Sequence, residues 1–256
     1  VTEEAPGGRA GDPSGSRPHP APPSPPRRPE PPRPPAPARE RLTRERVVRA
    51  ALAVVDRDGL DGLTMRALGR ELGVDPMAAY HHVPSKEAIL QGVVEAILSE
   101  LAVPDPSVRL GWRDAVRLIG REYRRALLAH PNALPVVSTQ PPLTPVGMRL
   151  IEAATGMLVR GGLTASQALE VINGTSATVI GSALVEAGVT PGTEAIEQSL
   201  IDSTYASLPP EEFPTITSAM ATADPATFEP ERQFEDLLDA LVRGFAARFR
   251  AGAAAQ

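Results

Sequence analysis

The chain contains no cysteine, which excludes a disulfide scaffold, a thiolate zinc site and thiol catalysis. Only 4% of it is aromatic, and lysine occurs once, as Lys86, so nearly every cation is an arginine. No run of 18 apolar residues stands out, so no membrane partner is expected. The N-terminal stretch lacks the apolar segment of a signal peptide, and a soluble cytoplasmic protein is the expectation. Strand-like alternation of useful length is missing, as are internal repeats. There is no Walker loop, no Gly-x-Gly-x-x-Gly and no Gly-x-Ser-x-Gly elbow. The histidines are His19, His81, His82 and His130, and they form no catalytic constellation, so the chain is not expected to be an enzyme. Neighbouring residues on a helix diverge by about 100°. His81 and His82 are therefore poor joint ligands, and neither a metal nor a cofactor is expected.

Proline and charge are present but unevenly spread. Fourteen of the 29 prolines fall in residues 1–39, which hold almost no large apolar side chain after Val1. Such a stretch cannot bury a core, and it reads as a disordered tail with local polyproline II character. Three roles are open for it. It is a passive linker, or the product of a start set too far upstream (the chain opens on Val1), or an arm. In the last case Arg27, Arg28, Arg33 and Arg39 reach a minor groove. The net charge of −5 also divides by region. Residues 1–39 carry +2, residues 40–90 are neutral, and residues 91–256 carry −7. These three segments are the expected domains: tail, reader and helical body.

From Leu42 onward the apolar spacing is helical. Thr43 caps a first helix whose Val47, Val48, Ala51, Leu52 and Val55 share one face, and Gly59 stops it. Thr64 caps a second, striped by Met65, Leu68 and Leu72 and ended by Gly73. Asp75 followed by Pro76 opens a short third helix to His82. Ser85 then caps a fourth helix to about Ala102. Further helices are predicted over about 108–129, from Pro145 to Gly161, from Thr164 to Ala187, near 193–207 and over 230–249. The fold class is all-α with nine or ten helices: an N-terminal three-helix helix-turn-helix and a larger C-terminal bundle. Pro131, Pro135, Pro209, Pro210 and Pro214 read as interruptions.

A helix-turn-helix sets its third helix in the DNA major groove. Ala79 and Val83, one turn apart, are the expected buried positions, which turns Met77, Ala78, His81 and His82 outward. Tyr80 sits at the edge, within reach of a phosphate. Thr64 and Arg66 offer a hydroxyl, helix N-terminal amides and a guanidinium to the backbone, and Lys86 offers an ammonium. On spacing alone an ordinary three-helix core fits as well. The segment from Leu42 to Leu90, LTRERVVRAALAVVDRDGLDGLTMRALGRELGVDPMAAYHHVPSKEAIL, resembles the DNA-binding domain of TetR-type bacterial transcription regulators. The resemblance rests on the Gly-Leu-Thr and Leu-Gly-Val core, on Tyr80, His82 and Val83, and on Ser85-Lys86. Further along, WRDAV, REYRRALLAHP and PEEFP are similar to the TetR-like ligand-binding domain.

The resemblance implies that Thr64 and Arg66 bind phosphates. Met77, Ala78 and His81 then face bases, while Tyr80, His82 and Lys86 hold the backbone. Ala79 stands where the family often has Leu, and apolar Met77 and Ala78 give few hydrogen bonds to base edges. Thymine methyl contacts and shape readout then carry more of the recognition. The resemblance also implies a small-molecule effector in the C-terminal bundle that weakens binding to a double-stranded operator, most often as a repressor. Candidate cavity residues are Trp112, Val116, Ile119, Tyr123, Leu127, Met148, Ile151, Met157 and Asn173, with Glu152 solvated. Few are charged, which favours an uncharged or weakly polar, even aromatic, effector. Palindromic half-sites call for a homodimer. The expected interface is a four-helix one, from Gly174, Ala177, Gly181, Ser182 and Ala183 on one helix and Phe234, Leu237, Leu238, Leu241, Val242, Phe245 and Phe249 on the last. The alternative is a helical ligand-binding module, or an enzyme on the same bundle, without operator binding.

Overall fold

A computed structural model describes residues 41–102, 107–188 and 198–254. The tail, with Arg27, Arg28, Arg33 and Arg39, and the start of the helix expected near 193 lie outside the described residues. Helix α1 spans Arg44–Gly62, α2 Met65–Leu72, α3 Pro76–Tyr80 and α4 Lys86–Ser99. The body follows with α5 (Trp112–Ala129), α6 (Leu134–Thr139), α7 (Pro145–Arg160), α8 (Ala165–Glu186), α9 (Gln198–Ala206), α10 (Pro214–Thr222) and α11 (Pro230–Ala254). Short 3-10 turns cover Pro131–Ala133 and Pro225–Phe228. No strand occurs among the described residues.

The predicted caps form. The Arg46 amide donates to Thr43 Oγ1 at 3.2 Å, the Met77 amide to Asp75 Oδ1 at 2.8 Å, and the Ala88 amide to Ser85 Oγ at 3.1 Å. Thr164 and Gln167 close a reciprocal capping box on α8. Gly59 breaks α1 with a positive φ of 72°, where a side chain would be strained. Two α-helices missed by the sequence reading, α6 and α10, correct the expected count of nine or ten. Both carry, at their start, a proline read as a breaker. Pro135 and Pro214 sit in the first turn, where no amide is needed and a fixed φ already suits a helix.

One buried apolar cluster runs from Val47 of α1 to Ala246 of α11. Helix α4 threads it, with Val93 and Ile97 fully enclosed, and passes unbroken through the domain boundary placed at residue 90. Beside α4 lies a second link. His130, at the end of α5, sets Nδ1 2.9 Å from Asp56 of α1 and Nε2 3.1 Å from Glu100. Asn132 donates to the Asp56 carbonyl at 2.8 Å.

In the body, three arginines of α5 run antiparallel to three acids of α11. Arg117 meets Asp239 at 2.8 Å, Arg121 grips Glu235 with two bonds of 2.6 and 2.7 Å, and Arg124 meets Glu231 at 2.6 Å. These arginines hold the Glu235 and Asp239 carboxyls below the usual range. Only Glu170 and Glu186 are charged in helix α8, which is long and apolar enough to cross a membrane by length and composition alone, although Ser, Thr, Asn and Gln interrupt its apolar run. Here α8 packs against α5, α7 and α11.

Candidate DNA-reading face and effector cavity

The turn between α2 and α3 is tight for a stated reason. Gly73 takes φ +66°, and its amide and that of Val74 return to the carbonyls of Arg70 and Gly69. A Cβ on Gly69 would lie 3.0 Å from the Val74 carbonyl oxygen and 3.1 Å from Pro76, so glycine lets α2 and α3 approach. Ala79 and Val83 are fully buried, which seats α3 against the reader core. Met77 is 64% exposed, His81 is exposed, and Ala78 and His82 are half-buried. Of the outward set read from the sequence, Met77 and His81 face solvent and Ala78 and His82 are partly covered. The Tyr80 side chain lies outside the described residues.

Thr64 is exposed at the start of α2, and its Oγ1 accepts the Ala67 amide at 3.1 Å. A hydroxyl that accepts still has its own proton to give. Thr64 can thus cap α2 and donate to a phosphate together. Arg66 and Lys86 are exposed, with no ion pair among the described residues. Arg44 is otherwise employed. It binds the buried Glu95 carboxylate at 2.8 Å, which would be left as an uncompensated charge without it. Arg46 reaches the Leu72 carbonyl at 3.4 Å.

A cavity of about 130 Å³ opens between α4, α5, α7 and α8. Of the nine residues expected to line it, Ile119, Tyr123, Ile151 and Met157 do. The other five are corrected. Val116 and Leu127 lie on the same stripe of α5 but are buried in the core. Trp112 packs on Phe249, with ring centroids 6.1 Å apart. Met148 is half-exposed and Asn173 exposed, on faces of α7 and α8 turned away from the cavity. The sequence reading missed Leu98, Leu118, Leu150, Ile172, Thr175 and Ser176. Part of their signal was available as i, i+3, i+4 spacing: Leu150 stands seven residues before Met157, and Ile172, Thr175 and Ser176 share one face of α8. Burial raises the Tyr123 phenol above its ordinary pKa, and a hydrogen bond with Ser176 opposes that shift.

Four residues of the expected dimer set are corrected as well. Phe234, Leu238 and Val242 of α11 and Ala183 of α8 are buried within the chain, and the Arg124 guanidinium lies 5.0 Å over the Phe234 ring. Gly174 is filled from inside, since a Cβ there would meet Phe245 at 3.0 Å. Leu241 and Phe245 are half-buried. Ala177, Gly181 and Leu237 remain exposed.

The family model for bacterial regulatory proteins of the tetR family matches residues 47–93, and that for the tetracyclin repressor-like C-terminal domain matches residues 105–249. The class A tetracycline repressor of Escherichia coli is 30% identical over 215 residues, covering 81% of this chain and 92% of that protein. An HTH-type transcriptional regulator of Saccharopolyspora erythraea is 33% identical over 145 residues, which span 57% of this chain and 61% of the relative. An HTH-type transcriptional repressor of Streptomyces coeruleorubidus is 33% identical over 142 residues, 53% of its length. The chain thus spans less than two thirds of these last two regulators. Among solved structures, ActR of Streptomyces coelicolor in complex with actinorhodin superposes with a TM-score of 0.68 at 31% identity, covering 81% of this chain and 98% of that one. One model falls on the reader and the other on the helical body, and together they decide the assignment: the chain belongs to the TetR family of bacterial regulatory proteins.

Proposed function

We propose that the protein is a transcription regulator that binds a palindromic operator as a homodimer, represses from it, and is released by a small molecule in the α4–α5–α7–α8 cavity. The observation that carries this reading is the outward face of α3, with Met77 and His81 exposed beside the Thr64 cap and beside exposed Arg66 and Lys86, which form no ion pair among the described residues. The phosphate groups position the reader, and the α3 face meets the bases. A dimer is supported by what the chain leaves uncovered. On α8, Leu169, Asn173, Ala177, Gly181 and Val185 form an exposed row four residues apart. On α11, Leu237, Ala240, Gly244 and Ala247 form another exposed row, three and four residues apart. Helix α10 buries none of its residues, although Phe213, Ile216 and Met220 lie on it or beside it. Large apolar side chains left in water favour a partner surface.

Release requires an effector that favours a state in which the two α3 helices no longer fit successive grooves, and its differential affinity sets the coupling. Helix α4 touches both ends of that path, since Leu98 lines the cavity and the Lys86 end faces the DNA side. The action belongs in the cytoplasm, where the DNA is. Fluorescence anisotropy on DNA upstream of the protein's own gene tests the reading. Tight, sequence-selective binding supports it. Only weak, salt-labile binding would favour a ligand-binding bundle without operator function.

A further inference from the structure

The effector cavity does not end at its apolar wall. A second chamber of about 280 Å³ adjoins it, and the two share Leu98, Tyr123, Pro142 and Ser176. Tyr123 and Ser176 stand together in the shared wall. Each chamber alone is smaller than an ordinary small-molecule site of about 300–1,000 Å³, and joined they enter that range. The first chamber suits one ring, since a dry cavity of about 150 Å³ takes a benzene. It is walled by Ile119, Leu150, Ile151 and Met157.

The second chamber is different in chemistry. Ser138, Thr139 and Gln140 follow one another along its wall. The Ser138 and Thr139 hydroxyls donate back to the Pro135 carbonyl at 2.9 and 2.8 Å, leaving only lone pairs to offer. The half-buried Gln140 amide makes no side-chain hydrogen bond among the described residues, so it has both a donor and an acceptor available. No Arg, Lys or His is among the described lining of either chamber. The one charged group, Glu122, is already paired with Arg125 at 3.1 Å. An anion would enter without a counter-charge, and burying one unpaired is strongly unfavourable.

Resting on the reading of this cavity as the effector site, we propose that it takes an elongated, uncharged ring compound bearing oxygen at one end. The apolar ring lies among Ile119, Ile151 and Met157. The oxygenated end passes the Tyr123–Ser176 pair and meets the Gln140 amide, which sets specificity.

The test uses the full chain and four probes, 4-phenylphenol, phenol, biphenyl-4-carboxylate and plain biphenyl, with binding read by calorimetry. 4-Phenylphenol, one ring per chamber, is expected to bind at least ~10-fold tighter than phenol and than the carboxylate. Gln140→Leu, at the exit of α6, is expected to weaken 4-phenylphenol about tenfold while leaving plain biphenyl unchanged. No binding of 4-phenylphenol, equal binding of the carboxylate, or an unaltered preference in Gln140→Leu would each overturn the proposal; the wild-type ranking needs no variant to fold. Operator anisotropy is measured on the same samples. A probe that binds in the expected order but leaves operator affinity unchanged refutes the effector role of the cavity, and leaves its ligand class standing.

Discussion

Thr64→Asp separates the two duties of a single side chain. In the wild type, Thr64 Oγ1 caps α2 by accepting the Ala67 amide at 3.1 Å, and its proton is free for a phosphate. Aspartate is at least as good a cap as threonine, and its charge suits a helix N-terminus, so folding stability should stay within about 1 kcal/mol. Operator binding should collapse. The lost hydroxyl–phosphate bond is worth about 1.5–3 kcal/mol. A carboxylate ~5 Å from a phosphate adds ~3 kcal/mol of repulsion at an effective dielectric of about 20. Salt screens part of this at so exposed a position, leaving about 3–5 kcal/mol, a loss of at least ~100-fold. Thr64→Ser keeps cap and donor and should bind as the wild type. Urea unfolding followed by helicity gives the first quantity, and anisotropy of a labelled operator duplex the second. Operator affinity within threefold of wild type for Thr64→Asp, with the fold intact, would refute the argument.

Further outcomes concern the rest of the molecule. Gly69→Val should reduce operator affinity about tenfold in the same anisotropy assay, because its Cβ meets the Val74 carbonyl at 3.0 Å and displaces α3, at an overpacking cost of about 1–3 kcal/mol. Leu237→Arg, on the 51% exposed position of α11, should give a folded monomer by light scattering. Phe234→Ala should instead lose about 3–5 kcal/mol of stability by urea titration while dimerising at the concentrations where it folds, since its ring is wholly internal. The depressed Glu235 carboxyl releases its proton more readily folded than unfolded. Its pairing with Arg121 therefore stabilises the fold above about pH 4.3 and drains away as the pH falls through the lower, folded value. Melting temperature against pH should fall less steeply on the acid side for Glu235→Gln.

How legible this protein is from its sequence differs from element to element. Thr43, Thr64, Asp75, Ser85 and Thr164 all cap helices as read, because capping is a local bond within three residues. The buried faces of α1 to α3 were equally plain, since each has one apolar stripe. Helix α11 has two, Phe234–Leu238–Val242 inward and Leu237 with Ala240 and Gly244 outward, and periodicity cannot say which meets the core. The same limit governs the cavity. Val116 and Tyr123 share a stripe on α5, and only the placement of α7 and α8 leaves room at Tyr123 and none at Val116. Proline misled at Pro135 and Pro214, where a helix start looks like a helix stop. Bonds between distant residues, such as Arg121 to Glu235 or His130 to Asp56, had no local signal, although the arginines at 117, 121 and 124 and the acids at 239, 235 and 231 each recur at helical spacings of three or four.

Hydroxyl-radical footprinting of the DNA upstream of the protein's own gene, at physiological salt, bears most directly on the reading of α3 as a DNA reader in a twofold dimer. Two symmetric protected half-sites, with centres separated by about 34–36 Å or a multiple of that, are predicted, and both should vanish in Thr64→Asp. Uniform, salt-labile protection without symmetry, unchanged by Thr64→Asp, would contradict it.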